Sequence, residues 1–230
     1  MDQQRQVMRK IHAAAFISLD GVIQGPGGPG EDTTGEFDAG GWVFRLWDEA
    51  VGDEVDRLFG RDYDLLLGRR TYDIFAAYWP YVEGEAAAMG RAFTAANKYV
   101  LTRGDRPLEW ENSHRLGSIE DIAALKQEDG PDLVIQGSGT LYPPLLAAGL
   151  IDRLTLMIFP LVLGNGKRLF SKDTAPTLMA LVESRVSAKG TMIATYEQRG
   201  GLPPMPDFAP PPSTSEREAE RQRAMEEGYW

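Results

Sequence analysis

The chain has 230 residues, and its hydrophobic content of 43% and charged content of 25% are ordinary for a globular protein with one sizeable core. A formal net charge of −10 argues against a nucleic-acid-binding or anionic-membrane surface, so neither partner is expected. The chain has no cysteine, which excludes disulfides and thiol chemistry and fits the cytoplasm. His12 and His114 lack a second histidine or spaced carboxylate that would complete a ligand set, so no metal site is expected.

Most of the chain alternates predicted strands and helices. Residues 11–19 form an apolar strand, and residues 42–59 carry the spacing of an amphipathic helix. The glycine-rich stretch 25–41 between them is either a disordered insertion or an active-site loop. Further strands are predicted at 64–67, 98–101 and 132–136, and further helices at 70–79, 84–96, 118–127 and 141–148.

Consecutive strands follow this alternation. Residues 153–163 form a long apolar strand whose Pro160 indicates an edge or a bulge, and residues 178–186 and 191–198 form an antiparallel pair. This order predicts a three-layer α/β fold over residues 1–200, with a mixed central sheet flanked by helices on both faces. Residues 201–230 are a Pro-rich linker and a charged tail. The tail is either weakly ordered or an arm that clasps another subunit through Phe208, Tyr229 and Trp230.

Two distant segments predict a site for phosphate. Residues 64–72 (DLLLGRRTY) and 133–141 (LVIQGSGTL) each run from an apolar strand through glycine into a new helix, where free backbone N–H groups attract anions. Arg69 and Arg70 could clamp the phosphate, or they could be solvated first-turn residues. The glycines by themselves are equally typical of close packing. Thr102 and Arg103 follow a third strand, and ligands collect at strand carboxyl ends, so we expect these segments to form one nucleotide site.

Five motifs carry a resemblance to a known family. They are SLDG (18–21), GGW (40–42), LGRRTY (67–72), QGSG (136–139) and GNGKRLF (164–170). In this order and spacing the chain resembles the dihydrofolate reductase superfamily, and most closely the reductase domain of bacterial riboflavin biosynthesis with its stand-alone relatives. The resemblance covers about residues 9–199. It implies a dihydrofolate reductase-like fold, NADPH as cofactor and a homodimer, for which the apolar residues 154–163 could be the interface.

The resemblance also implies an activity and a cofactor site. The protein would be an NADPH-dependent oxidoreductase that transfers hydride to a C=N or C=O bond of a small planar heterocycle, such as a riboflavin-pathway pyrimidine or a pterin. The stretch 25–41 would close over nicotinamide and substrate. The residues implied for the cofactor are Ala15, Gly68, Arg69, Arg70, Thr71, Leu101, Thr102, Arg103, Gln136, Gly137, Ser138, Gly139, Thr140 and Leu141.

Hydride transfer also needs a proton source near the substrate. Asp48 is the first candidate for this catalytic role and Asp20 the second, although acids at such positions are often only solvated. Trp42 and Phe44 could stack on a planar substrate or belong to the core, and Lys167 could bind a substrate phosphate. Two other functions remain open. One is a nucleotide-binding or scaffolding protein of the same fold without turnover, and the other is a phosphosugar or flavin binder.

Overall fold

The computed structural model describes residues 8–172, 174–207 and 215–229. Its strands are β1 (Ile11–Ser18), β2 (Tyr63–Gly68), β3 (Lys98–Leu101), β4 (Ser113–Leu116), β5 (Asp132–Gln136), β6 (Arg153–Phe159), β7 (Met179–Val186) and β8 (Met192–Gln198). Its α-helices are α1 (Glu49–Phe59), α2 (Arg69–Tyr78), α3 (Ala87–Ala95), α4 (Ile119–Leu125), α5 (Tyr142–Ala147) and α6 (Glu216–Glu226). Short 3-10 turns lie at Trp42–Arg45, Trp79–Tyr81, Gly84–Ala86 and Gly139–Leu141.

The eight strands form one mixed sheet in the order β4-β3-β2-β5-β1-β6-β8-β7. Neighbouring strands from β4 to β6 are parallel, whereas β8 runs antiparallel to β6 and β7 antiparallel to β8. All parallel strands therefore end at the same side of the sheet, which we call the carboxyl edge. The turn between β7 and β8 lies at this edge too, since Met192 at the start of β8 pairs with Ile158 near the end of β6.

Helices cover both faces of the sheet. On one face α4 and α5 pack over β1, β5 and β6, with Ile122, Leu145 and Tyr142 fully buried. On the other face α1 packs over β1, β6 and β8, while α2 and α3 pack over β2 and β3. The parallel strands are almost continuously apolar because they are buried on both faces. The predicted three-layer α/β fold is confirmed.

Several local predictions are also confirmed, because the relevant signals act within a few residues. The Ser118 hydroxyl accepts from the Asp121 amide and the Asp121 carboxylate accepts in return, forming the capping box that begins α4. Pro143 and Pro144 lie in the first turn of α5, where no intrahelical N–H is needed. The antiparallel pair at the end of the domain is present as β7 and β8.

Three element predictions were wrong. The predicted helix at 42–59 is a 3-10 turn followed by α1, because Asp48 is extended (φ −144°, ψ 176°) and caps a new helix. The long strand ends at Phe159, so Pro160 terminates it, and β6 lies inside the sheet with mostly buried side chains. Residues 154–163 therefore cannot supply an exposed interface strand. Strand β4 was missed because its sequence, SHRL, is polar and partly exposed.

The charged tail contains a polar helix, α6, which begins at the Ser215 cap and has no buried residue. Tyr229 is exposed, whereas Phe208 and Trp230 of the predicted arm lie outside the described residues. The boundary at residue 200 stays a prediction. No helix in the described ranges is long and apolar enough to cross a membrane.

Candidate active site at the carboxyl edge

The strand pairings on the two sides of β1 end at different points of the carboxyl edge, and we call the place where they separate the crevice. The pairing of β1 with β5 ends at Ala14 and Gln136, whereas its pairing with β6 continues to Ser18 and Phe159. The backbone from Ala15 onward therefore adjoins the turn after β5 instead of a strand, while the Ala15 side chain is buried in the core. Open α/β sheets bind ligands in crevices of this kind, outside the carboxyl ends of their strands.

The two predicted glycine turns lie side by side at this crevice. The Gly68 amide donates to Ser138 Oγ over 2.9 Å, and the Ser138 amide donates to Thr71 Oγ1 over 3.0 Å. Ser138 has left-handed dihedral angles (φ 54°, ψ 47°) and follows Gly137 at φ 75°. These reciprocal hydrogen bonds join segments about seventy residues apart into one rigid unit.

Arg69 and Arg70 both begin α2 but contact different partners. Arg69 Nε donates to Asp73 over 2.9 Å, and its Nη1 donates to the Arg106 carbonyl over 2.8 Å. Arg70 is 59% exposed, and its Nη1 lies 3.4 Å from a carboxylate oxygen of Asp32. The two guanidinium groups therefore do not form one clamp in this conformation, and Arg70 faces the glycine-rich loop.

The stretch 25–41 is a folded loop anchored through Asp32. Lys167 Nζ donates to Asp32 Oδ2 and to Thr34 Oγ1, each over 2.5 Å, and Gln24 Nε2 donates to the carbonyls of Asp32 and Thr34. Burial raises the pKa of Asp32, but the hydrogen bonds from Lys167 and Thr34 outweigh it and lower that pKa to about 2. Asp32 is thus an anion at neutral pH. The disordered alternative for this stretch was wrong, and its role as an active-site cover stays a prediction.

One buried polar atom at the end of β5 is consistent with a bound ligand that donates a hydrogen bond. Gln136 Oε1 is buried and has no hydrogen-bond partner within the described ranges, and an unpaired buried acceptor is costly. A Cβ at Gly139 would lie only 2.3 Å from Ile23 Cδ1, so the start of the loop lies directly on this turn. A side chain at this position would require the end of the Ile23 side chain to shift.

The two candidate acids are both held by hydrogen bonds. Asp20 accepts from Ser18 Oγ and from the amides of Leu163 and Gly164, which lower its pKa to about 2. Burial raises the pKa of Asp48, but hydrogen bonds, chiefly from the Lys189 amide, outweigh this and lower it below its ordinary value. Both groups are therefore carboxylates at neutral pH, and neither holds a proton of its own to donate.

The predicted substrate residues differ in accessibility. Trp42 is 1% exposed, its Nε1 donates to the Gln24 carbonyl over 2.8 Å, and its ring packs edge-on against Phe159. In this conformation Trp42 is a core residue that supports the loop. Phe44 is 61% exposed and packs against Trp47 at a centroid distance of 5.7 Å.

The remaining predicted cofactor residues lie at the ends of β3 and β5. Thr102 Oγ1 accepts from the Gly104 amide over 3.3 Å, and Arg103 is exposed. Leu101 is half-buried at the end of β3, Thr140 is exposed, and Leu141 is buried in the core. The structure thus brings the 68–71, 101–103 and 136–141 segments to one edge, as parallel strand order requires.

Sequence reasoning missed the residues that hold the loop in place. These are Ile23, Gln24 and Asp32, together with Glu31, whose pKa burial raises. A single polar residue such as Gln24 carries no local signal in the sequence that its side chain will be buried. The roles of Ile23, Gln24 and Asp32 depend on contacts with turns more than a hundred residues away, such as the Lys167 amide that donates to Gln24 Oε1 over 3.0 Å.

Comparison with known proteins agrees with this geometry. The model of the RibD C-terminal domain family matches residues 9–193. The chain belongs to the RibD C-terminal domain family. This RibD C-terminal domain protein is 26% identical over 195 residues to the uncharacterised protein YyaP of Bacillus subtilis, covering 84% of this chain and 96% of YyaP. It is 28% identical over 181 residues to the uncharacterised protein YwjB of the same organism, covering 75% of this chain and 89% of YwjB.

Solved structures share the fold at low sequence identity. A proposed riboflavin biosynthesis protein from Shewanella matches with a TM-score of 0.63 and 22% identity, covering 84% of this chain and 99% of that one. A pyrimidine reductase-like protein from Corynebacterium diphtheriae matches with a TM-score of 0.56 and 16% identity, covering 83% and 92%. Dihydrofolate reductase from Enterococcus faecalis, complexed with NADP(H) and RAB-propyl, matches with a TM-score of 0.52 and 17% identity, covering 82% and 96%.

Proposed function

We propose that this RibD C-terminal domain protein is an NADPH-dependent reductase that transfers hydride to a C=N or C=O bond of a small planar substrate. The observation that carries the proposal is the crevice beside Ala15, where two interlocked glycine turns meet at the carboxyl edge. Membership of the family supports a reductase. The Enterococcus faecalis enzyme, which shares the fold, was solved with NADP(H).

The residues around the crevice fit a dinucleotide. The turns at 68–71 and 137–141 would hold the pyrophosphate, with donors from the first amides of α2, which have no intrahelical acceptor. The unpaired Gln136 Oε1 would accept from the carboxamide of nicotinamide. Exposed Arg70 and Arg103 would neutralise the adenosine 2′-phosphate, and Thr102 would line the adenine side.

When bound, NADPH supplies the hydride. The chain's own residues would orient the cofactor against the substrate, and the loop at 25–41 would exclude water from the crevice. Because Asp20 and Asp48 are both ionised at neutral pH, we propose that Asp48 or Asp20 orients a water molecule, which passes a proton from the solvent to the substrate. This keeps Asp48 as the first candidate and changes its role from proton donor to a group that orients the water molecule.

The accessible side chains support a planar substrate. Phe44 exposes most of its ring and could stack on a planar heterocycle, such as a riboflavin-pathway pyrimidine or a pterin. Lys167, whose side chain is 43% exposed, could bind a substrate phosphate if it exchanged its contact with Asp32. We place the reductase in the cytoplasm as a homodimer.

One observation favours an alternative, a nucleotide-binding or scaffolding protein without turnover. Both candidate carboxylates have lowered pKa values and are used in structural hydrogen bonds, whereas catalytic acids usually have raised pKa values. The two functions share the cofactor site. They differ only in whether bound NADPH is oxidised when candidate substrates are present.

The test is a tryptophan-fluorescence titration with NADPH and NADH, followed by an assay of NADPH absorbance with candidate substrates. We expect NADPH to bind more tightly than NADH. Arg70→Ala should reduce that preference more than Arg69→Ala, because Arg69 is already held by Asp73 and the Arg106 carbonyl. Arg91→Ala is the matched control, since Arg91 is an exposed arginine on α3.

The results separate the alternatives. Preferential NADPH binding with oxidation supports the reductase, and the same binding without oxidation by any candidate supports the non-catalytic alternative. Saturable binding of neither cofactor would overturn both, and the glycine turns would then be packing features.

A further inference from the structure

One carboxylate oxygen joins three distant segments of the chain. Lys167 Nζ donates to Asp32 Oδ2 over 2.5 Å, and Arg70 Nη1 lies 3.4 Å from the same oxygen. Asp32 belongs to the loop at 25–41, Arg70 lies in the first turn of α2, and Lys167 lies in the connection between β6 and β7. Two cations from different elements therefore converge on one point, and a carboxylate of the loop lies between them.

The two cations depend on Asp32 for charge compensation. Within the described ranges, no other carboxylate forms an ion pair with Arg70 or Lys167. A carboxylate carries a single negative charge, whereas a phosphate monoester carries about 1.5–2 negative charges at neutral pH and has three acceptor oxygens. The planar guanidinium of arginine can bind two phosphate oxygens at once. A phosphate would therefore compensate both cations more completely than Asp32 does.

The backbone holds Lys167 in place without the Asp32 side chain. The Lys167 amide donates to Gln24 Oε1 over 3.0 Å, and its carbonyl accepts from the Ile23 amide over 2.9 Å. Arg70 is part of α2, whose next residue, Thr71, accepts from the Ser138 amide over 3.0 Å. Both cations are therefore positioned by contacts that would remain if the carboxylate moved away.

The two oxygens of the Asp32 carboxylate have separate partners. Oδ1 accepts from the Thr34 amide over 3.2 Å and from Thr34 Oγ1 over 2.6 Å, within the loop, whereas Oδ2 contacts the two cations. Arg70 and Lys167 keep 59% and 43% of their side chains exposed, compared with 10% for Asp32. Ion pairs made by such exposed cations contribute little to stability, so a ligand anion can replace Oδ2 at a small cost.

We propose that Arg70 and Lys167 form one phosphate-binding subsite, for which Asp32 Oδ2 and a ligand phosphate compete. This inference rests on the proposed function, in which the two residues bind phosphates, and it assigns both residues to the same phosphate. That phosphate belongs to the cofactor or to the substrate. The charge of Asp32 thereby weakens the binding of the ligand that carries it.

Titration calorimetry of the full chain with NADPH, NADH and ribose 5-phosphate tests the competition. Asp32→Asn removes the competing charge and keeps an acceptor oxygen for Thr34. At least one of the three ligands should therefore bind this variant about threefold to tenfold more tightly than the wild type. Asp62→Asn is the matched control, because it removes an exposed carboxylate just before β2, and its affinities should equal those of the wild type.

The ligands that respond identify the source of the phosphate. Tighter binding of both NADPH and NADH indicates the pyrophosphate, which the two cofactors share. Tighter binding of NADPH alone indicates the 2′-phosphate. Tighter binding of ribose 5-phosphate alone indicates a phosphate of the substrate.

Removing each cation tests whether the two residues act on one phosphate. Arg70→Met and Lys167→Met should each weaken the ligand that responds to Asp32→Asn, by about tenfold, and should leave the other ligands unchanged. Arg91→Met, which removes an exposed arginine of α3, should change no affinity. These variants decide the outcome without Asp32→Asn if that variant does not fold.

Three results would overturn the proposal. They are unchanged or weaker binding of every ligand in a folded Asp32→Asn variant, an equal gain in Asp62→Asn, and losses for different ligands in Arg70→Met and Lys167→Met. The fate of the reductase proposal is measured separately. Binding without oxidation of NADPH would argue against turnover and leave the subsite intact, whereas oxidation with no response to Asp32→Asn would refute the subsite alone.

Discussion

Replacing Asp48 separates its structural role from a role in chemistry. Asp48 Oδ1 accepts from the Val51 amide at the start of α1, and Oδ2 accepts from the Lys189 amide in the β7–β8 turn. Asp48→Ala removes both of these hydrogen bonds from backbone amides, and the Ser187 side chain loses its hydrogen bond to the carboxylate as well. Asp48→Asn keeps an acceptor oxygen at the helix cap, where asparagine and aspartate are about equally effective.

The expected loss of stability follows from these two contacts. Losing the helix cap costs about 1 kcal/mol, and losing the hydrogen bond from Lys189 costs about 1 kcal/mol more. We therefore expect Asp48→Ala to lower the free energy of unfolding by about 2 kcal/mol, and Asp48→Asn by less than about 1 kcal/mol. Because the folded pKa of Asp48 lies below 3.8, its stabilisation is present above pH 3.8 and is lost as the pH falls through the folded pKa.

Urea unfolding followed by tryptophan fluorescence measures the stability, and parallel assays measure NADPH binding and turnover. If Asp48 orients the proton-delivering water, Asp48→Asn should reduce turnover while the NADPH dissociation constant stays unchanged. Unchanged turnover in Asp48→Asn would refute the chemical role. A loss below about 0.5 kcal/mol in Asp48→Ala would refute the capping argument.

Three further predictions follow from the packing. Asp64→Ala should lower the free energy of unfolding by about 3–5 kcal/mol, because it leaves the nearly buried Arg9 guanidinium without its carboxylate partner. Chemical denaturation of the wild type and the variant measures the difference. Burial lowers the pKa of the fully buried Lys98 from 10.5 to about 8, so between pH 8 and 10.5 the unfolded chain binds more protons than the folded chain. The free energy of unfolding should therefore rise by about 1–3 kcal/mol from pH 8 to 10.5. This rise should be absent in Lys98→Met. Gly139→Ala should destabilise by about 1–3 kcal/mol through its contact with Ile23, and Ile23→Ala should relieve part of that loss in a double-mutant cycle.

Features that depend on near neighbours along the chain could be predicted from the amino-acid sequence. Apolar runs predicted β1, β2, β3 and β5 within a few residues of their observed bounds, and local chemistry predicted the capping box at Ser118 and the prolines that begin α5. Alternation of strands and helices, followed by consecutive strands, was sufficient for the three-layer fold. Because parallel strands end at one edge, the meeting of the two glycine turns was predictable as well.

The contacts of each polar side chain of the site could be read only from the folded chain. Arg69 and Arg70 are adjacent in sequence, yet one is held by Asp73 and the other faces Asp32, because the loop folds back over α2. Asp48 has no local sign that a turn 141 residues away supplies its second donor. Long-range contacts of this kind also divide the predicted helix at 42–59 into two elements and hold the stretch 25–41 in one fold. Such contacts depend on how the completed sheet brings distant segments together, which no pattern within a single segment records.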